Sequence, residues 1–290
     1  MTLTNFHSHT IYDDGTSTPE EMLQAAIAKG FAAFGFSGHS YAPFDMPYCM
    51  SVDGTREYIA EVTRLKEKYA DEIEVYLGIE QEYYSAPHSL GTDGSEAGLC
   101  HDCRALYPAE KYDFTIGAVH YIKKGGELFS IDFGAEMQKR AAETHFGGDF
   151  YAMTETYFET VADVMRKTGA DIVGHFDLIA KYNTDGRLFD EANPRYTGAA
   201  INAMEHILKT HRLFEVNTGA MYRIGRPEPY PSEFLLKELQ KRGGEVILSS
   251  DCHDVESICW KFDEMRELLK SCGFRYVKRL AKNGFIDEKI

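Results

Sequence analysis

Cationic residues are scarce in this chain. Its 290 residues carry 31 lysines and arginines against 46 aspartates and glutamates, a formal charge of −15. A surface this acidic repels nucleic acid and anionic lipid, so neither is an expected partner. No apolar run is long enough to span a bilayer. The N-terminal stretch MTLTNFHSHT has neither the basic start nor the apolar core of a signal peptide, which makes the cytoplasm the expected location. Nine prolines are scattered, with no Pro-rich linker, low-complexity tract or repeat of fixed period. There are only six cysteines, expected as free thiols or, for one cluster, metal ligands. A chain of this length buries about 75% of its unfolded surface and needs no disulfide framework.

What is present is alternation. The hydrophobic fraction is 43%, an ordinary globular value. Short apolar runs at 3–9, 31–40, 73–83, 114–122, 171–179, 213–219 and 245–253 are interleaved with amphipathic helical patterns. The pattern after Thr18-Pro19-Glu20-Glu21 has a capping threonine and a proline at the first helical position, and Gly30 ends it. Further helices are expected near 54–69, 149–168, 195–210, 232–242 (capped by Ser232) and 256–271, with a short tail after them. Seven such βα units predict an α/β fold of barrel type, with a doubly wound open sheet as the rival. Two segments break the pattern: an inserted loop at about 84–112 and a lid or hairpin at about 123–148. Cys100-His101-Asp102-Cys103 lies in the first. One CxxC without a second pair is a weak zinc signal, so we read it as loop.

The chain has eleven histidines, and six fall at or just past the C-terminal ends of proposed strands: His7, His9, His39, His120, His175 and His253. Glu80 and Asp251 share that location. In parallel α/β folds ligands bind at the carboxyl ends of strands. Neutral imidazoles and carboxylates suit Zn, Mn or Fe, and a carboxylate can bridge two cations. His7-Ser-His9 and Asp251-Cys-His253 have strand spacing, which points both ligands of each pair one way and turns Cys252 into the core. A lone histidine at a strand end is usually a hydrogen-bonded structural residue, but a full set converging without cations would be costly to desolvate. In YDDGT, Asp14 is a further ligand candidate. Asp13 competes with it, a plain Asp-Gly turn accounts equally for the motif, and spacing cannot choose. The sixth strand delivers Asn217 and Thr218 to the same face.

In this order, HSHTIYDDG, SGHS, GIEQE, GAVHYI, GHFDLI, EVNTG and SSDCH resemble the polymerase and histidinol phosphatase (PHP) superfamily. GHFDLIAKY, EVNTG and PYPSEFLL resemble its metal-dependent histidinol-phosphatase branch. The resemblance spans nearly the whole chain. It implies a single domain over 1–290 folded as a distorted seven-stranded (β/α)7 TIM-like barrel holding two or three divalent ions. Carried over by motif, His7, His9, Glu80 and Asp251 hold one ion. Glu80 bridges to a second, held also by His120 and His175. Asp14, His39 and His253 hold a third, and Asp14 or His253 relays a proton to the leaving oxygen. Arg223, Lys181 and Asn217 are the implied substrate-binding residues. The implied reaction is hydrolysis of L-histidinol phosphate, a small phosphorylated substrate, by a metal-bridging hydroxide. Two other enzyme readings stand beside it. One is a phosphoesterase of the same superfamily acting on another small ester or a nucleotide. The other is an amidohydrolase-type C–N hydrolase, which also begins with HxH but gives Glu80 no place. A non-enzymatic metal-binding scaffold is disfavoured by the full ligand set.

Overall fold

Every run expected as a strand contains one. The computed structural model describes residues 2–42, 44–45, 47–83 and 112–290. The first elements are β1 (Leu3–Asn5), α1 (Pro19–Ala28), β2 (Phe31–Phe36), α2 (Val52–Lys68), β3 (Glu74–Glu82) and β4 (Phe114–Ala118). Next come β5 (Tyr121–Lys124), β6 (Glu127–Ser130), α3 (Ala135–Phe146), α4 (Phe150–Thr168), β7 (Ile172–Val173) and α5 (Pro194–Ile207). The chain then forms β8 (Leu213–Asn217), α6 (Gly219–Arg223), α7 (Glu233–Lys241), β9 (Glu245–Ser249), α8 (Phe262–Ser271), β10 (Tyr276–Ala281) and β11 (Gly284–Lys289). The inserted loop expected at 84–112, with Cys100 and Cys103, lies outside the described residues except for Tyr112. Residues 121–130 form the antiparallel β5–β6 hairpin.

Local chemistry explains the helix ends. Thr18 caps α1 with a reciprocal box: its hydroxyl accepts from the Glu21 N–H, and the Glu21 carboxylate accepts from the Thr18 N–H. The α1 face of Met22, Leu23 and Ala26 is buried. Asp149 caps α4 by accepting from the N–H groups of Tyr151 and Ala152. At α7 the expectation was half met. Ser232 holds the cap position, but its hydroxyl makes no capping bond, and its N–H donates to Asp177 instead.

The sheet is mostly parallel, in the order β1-β2-β3-β4-β7-β8-β9-β10-β11. It is not a closed seven-stranded ladder. β1 has only three residues, with an irregular register against β2, and is too short to pair along both neighbours. At the C-terminal end a single parallel bridge, Ser8 to Cys252, joins the first and seventh parallel strands. There the His9 N–H donates to the Cys252 carbonyl at 2.8 Å. Lower down, the free edge of β9 is taken by β10 at Ile247, and β10 is covered by β11. The expected short tail is thus a hairpin that supplies hydrogen bonds an open edge would otherwise lack.

Inside the curve of the sheet, Phe6, Tyr76, Phe114, Ile116, Ile172, Leu213 and Ile247 form one apolar cluster. The Phe114 ring lies directly over Gly78, where a Cβ would come within 2.3 Å of it, so only glycine fits there. The helices cover the outside. No helix among the described residues is long and apolar enough to cross a membrane.

Candidate metal centre

Above that apolar layer the strands change character. His7 and His9 follow β1 on an extended segment, so their rings turn the same way, with centroids 5.1 Å apart. Ser8 between them points outward and donates to the Gly35 carbonyl. Glu80, in β3, is 1% exposed. It faces five imidazoles. Oε2 lies 3.3 Å from His7 Nε2, 3.5 Å from His9 Nε2 and 2.9 Å from His39 Nδ1. Oε1 lies 2.8 Å from His175 Nε2 and 3.7 Å from His120 Nε2. Asp251, after β9, approaches His9 Nε2 to 3.2 Å and His7 Nε2 to 3.7 Å. Its φ of 47° lies in the left-handed region, which aspartate enters more readily than most non-glycine residues.

The structure separates the two adjacent aspartates. Asp13 Oδ2 lies 2.6 Å from His9 Nδ1 and accepts from the His39 N–H, so Asp13 stands behind the imidazoles. Asp14 faces the cleft, 3.1 Å from His253 Nε2 and 3.8 Å from His39 Nε2. Three ligand-sized groupings result: His9, Asp14, His39 and His253; His7, His9 and Asp251; and His39, Glu80 and His120.

Three carboxylates orient imidazoles from behind, and two of them were missed from the sequence. His7 Nδ1 meets Glu215 at 2.8 Å, His120 Nδ1 meets Glu82 at 2.6 Å, and Asp13 does the same for His9. Such carboxylate–histidine pairs fix the tautomer that leaves Nε2 free for a cation. The signal was available: Glu82 is two residues past Glu80 on the same strand, and Glu215 two before Asn217.

Do these residues fit divalent ions? Their crowded, poorly aligned donor atoms answer. His7 Nε2, His9 Nε2, Glu80 Oε2 and Asp14 Oδ1 are buried and make no well-aligned hydrogen bond, meeting only one another and their neighbouring imidazoles and carboxylates at 2.9–3.8 Å. Buried polar atoms without aligned partners are costly, and these are the atom types a Zn, Mn or Fe ion takes. The ionisation pattern agrees. Burial alone would push the His7 pKa down, but Glu215, Asp251 and Glu80 hold it well above its ordinary value. Burial would raise Glu80, yet His39 and His7 hold it well below the usual carboxylate range. Asp251 is likewise held low despite burial, by Arg223 and His7. A field that attracts protons onto the imidazoles this strongly would also attract a divalent cation in their place. His253 is the exception, pushed down to about 4 by burial, Arg223 and His9.

The other expected residues divide. Arg223 and Lys181 both line the cleft above the cluster. The Arg223 guanidinium pairs with Asp251 at 3.0 Å and lies against His253, while Lys181 pairs with Asp132 at 2.6 Å. Asn217 does not reach the cleft. It is fully buried, and its amide donates to Glu215 and Asp251, so it steadies two carboxylates from below. Cys252 is buried where alternation puts it, its thiol pushed up to about 12 by desolvation. Cys49, Cys252, Cys259 and Cys272 are free thiols.

Comparison with known proteins gives a consistent picture. The model of the PHP domain family matches residues 5–219. The Schizosaccharomyces pombe protein named "Probable histidinol-phosphatase" is 26% identical over 287 residues, covering 93% of this chain and 88% of that one. The Deinococcus radiodurans protein of the same name is 27% identical over 278 residues, 95% of each chain. The crystal structure of histidinol phosphate phosphatase from Lactococcus lactis, complexed with zinc, L-histidinol and phosphate, shares the fold. Its TM-score is 0.67, at 18% identity over 98% of both chains.

Proposed function

The chain belongs to the PHP domain family, and from that premise we propose that it is a metal-dependent phosphomonoester hydrolase that converts L-histidinol phosphate to L-histidinol and phosphate. The observation that carries this reading is Glu80, one buried carboxylate whose two oxygens face two different sets of imidazoles. The names of the relatives from Schizosaccharomyces pombe and Deinococcus radiodurans support the substrate, and the zinc in the Lactococcus lactis complex supports the metal requirement.

In this reading His7, His9, Glu80 and Asp251 would hold one ion, and Glu80, His120 and His175 a second. Asp14, His39 and His253 would hold a third. Zn, Mn and Fe all suit these donors. Bound divalent ions lower the pKa of water, neutralise phosphate oxygens and stabilise a departing alkoxide. The chain's own groups do the rest. Arg223 and Lys181 bind the phosphate oxygens, each giving up part of its pairing with Asp251 or Asp132. Glu82, Glu215 and Asp13 keep the imidazoles in one tautomer and orientation. Asn217 keeps Glu215 and Asp251 in register. Asp14 is held far below the usual carboxylate range, chiefly by His253 and His39 against the effect of burial, so it is ionised beside a neutral His253. The pair therefore holds no proton in advance, and a proton bound for the leaving oxygen would only pass across it.

We further read the seven parallel strands as a distorted (β/α)7 barrel, opened on one side by the β10–β11 hairpin, and residues 1–290 as one domain. The acidic surface and the small phosphorylated substrate fit an enzyme of the cytoplasm that works apart from nucleic acid and membrane. The test is phosphate release from a panel of phosphomonoesters after reconstitution with Mn, Zn or Fe. Strong preference for L-histidinol phosphate is the expected result. Preference for another ester would keep the phosphoesterase and remove the named substrate.

A further inference from the structure

The cleft above the metal cluster is electrically two-sided. Arg223 lies at one end, against Asp251 and His253. Lys181 is matched by Asp132 at 2.6 Å. That leaves Asp45, in the turn after β2, as a cleft-lining carboxylate whose partner among the described residues is a neutral phenol, the hydroxyl of Tyr121. Tyr48 and Phe133 flank the same cleft. Their rings meet at 5.3 Å, and each is left 45% exposed. Large aromatic faces left open beside a polar site accept a flat ring, and more readily a cationic one. Burial and Glu82 raise the Asp45 carboxyl against the hydrogen bond from Tyr121 and the nearby His120 and His39.

We infer that Asp45, Tyr48 and Phe133 form the subsite for the alcohol half of the substrate and select a leaving group that is both positively charged and flat. Resting on the reading above, this assigns the ammonium or imidazolium of the substrate to Asp45 and its ring to the Tyr48–Phe133 pair. The phosphate lies toward the metal cluster and Arg223. A dipolar ester fits such a cleft. A second anionic group on the alcohol half, as in a nucleotide or a phosphorylated hydroxy acid, meets Asp45 instead.

The experiment compares three esters with the metal-loaded enzyme: L-histidinol phosphate (cation and ring), phosphoethanolamine (cation only) and p-nitrophenyl phosphate (ring only). Asp45→Asn should lower kcat/KM about tenfold for the two cationic esters, mainly through KM, and leave p-nitrophenyl phosphate unchanged. Phe133→Ala and Tyr48→Ala should weaken the two ring esters and spare phosphoethanolamine. Equal losses on all three esters, or no loss on any, overturn the subsite. So does a wild-type enzyme indifferent to charge on the alcohol half. If the wild-type enzyme favours a cationic ester other than L-histidinol phosphate and Asp45→Asn removes that preference, the subsite stands and the named substrate falls.

Discussion

Along the same parallel strands, the lower half carries Phe6, Phe114, Ile116, Ile172, Leu213 and Ile247, while the upper ends carry His7, His9, Glu80, His120, His175 and Asp251. Both layers are buried, apart from the partly exposed His120, and Phe6 and His7 are neighbours in sequence. They differ in what completes them. The apolar layer finds all its partners within the chain, as the Phe114 ring does over Gly78 and against Phe6. The polar layer does not: His7 Nε2, His9 Nε2, Glu80 Oε2 and Asp14 Oδ1 crowd against one another at ion-pair distances without well-aligned hydrogen bonds. Folding alone saturates the first layer, whereas the second is saturated only with a ligand. Stability should therefore reside chiefly below and ligand dependence above.

The strongest way to break this division is Glu80→Ala. It should lower phosphatase turnover about a thousandfold or more, because both imidazole sets lose their shared carboxylate. The far-ultraviolet circular dichroism should match wild type. Chelation should lower the wild-type melting temperature and leave that of Glu80→Ala nearly still, since only the former loses a bound ligand on chelation. A variant that kept its metal content and turnover would remove Glu80 from the site.

The converse substitution lies one layer down. Phe114→Ala should cost about 3–5 kcal/mol of unfolding free energy by opening a cavity that the glycine beneath cannot fill. Turnover per folded, metal-loaded molecule should stay near wild type. Denaturant titration alongside active-site metal counting separates the two effects, and a collapse of turnover in the folded fraction would show the layers to be coupled.

Glu82→Gln sharpens the boundary from within the polar layer. It keeps the shape but weakens the orientation of His120, with an expected loss of about 10–100-fold in metal affinity, read by chelator competition. The smallest effect belongs to Thr18→Ala, far from both layers. It removes the capping box of α1 and should cost about 1 kcal/mol of stability with metal content unchanged.

Much of this was legible in the residues. Strand runs such as FTIGA announce themselves because a strand buried on both faces needs continuous apolar, β-branched or aromatic side chains, although the run expected at 114–122 divides between β4 and the first residues of β5. Ligands at i and i+2, as in His7-Ser8-His9, announce themselves because the pleat repeats every two residues. The rest was hidden for definite reasons. Asp13 and Asp14 are chemically identical neighbours, and only the turn back toward His39 sends one behind His9 and the other toward His253. Glu82 and Glu215 lie inside GIEQE and EVNTG, but nothing local tells a carboxylate that serves a histidine from behind from one that faces the cleft. The β10–β11 hairpin has the composition of a polar tail, since its ladder faces solvent on one side and alternates weakly.

The sequence by itself determined the alternation of strands and helices, the end of the sheet at which imidazoles and carboxylates gather, and the family the chain belongs to. The first two follow from periodicity and local order, which act over a few residues; the family follows from the resemblance of the motifs in their order. Only the tertiary structure decided which oxygen of Glu80 meets which histidine, which aspartate enters the cleft, that Asn217 steadies carboxylates and does not touch the cleft, and that the sheet stays open where β10 replaces β1. These depend on contacts between segments up to 245 residues apart, such as Asn5 with Ser250 and Asp14 with His253. Their geometry is set by packing, which no local pattern in the chain encodes.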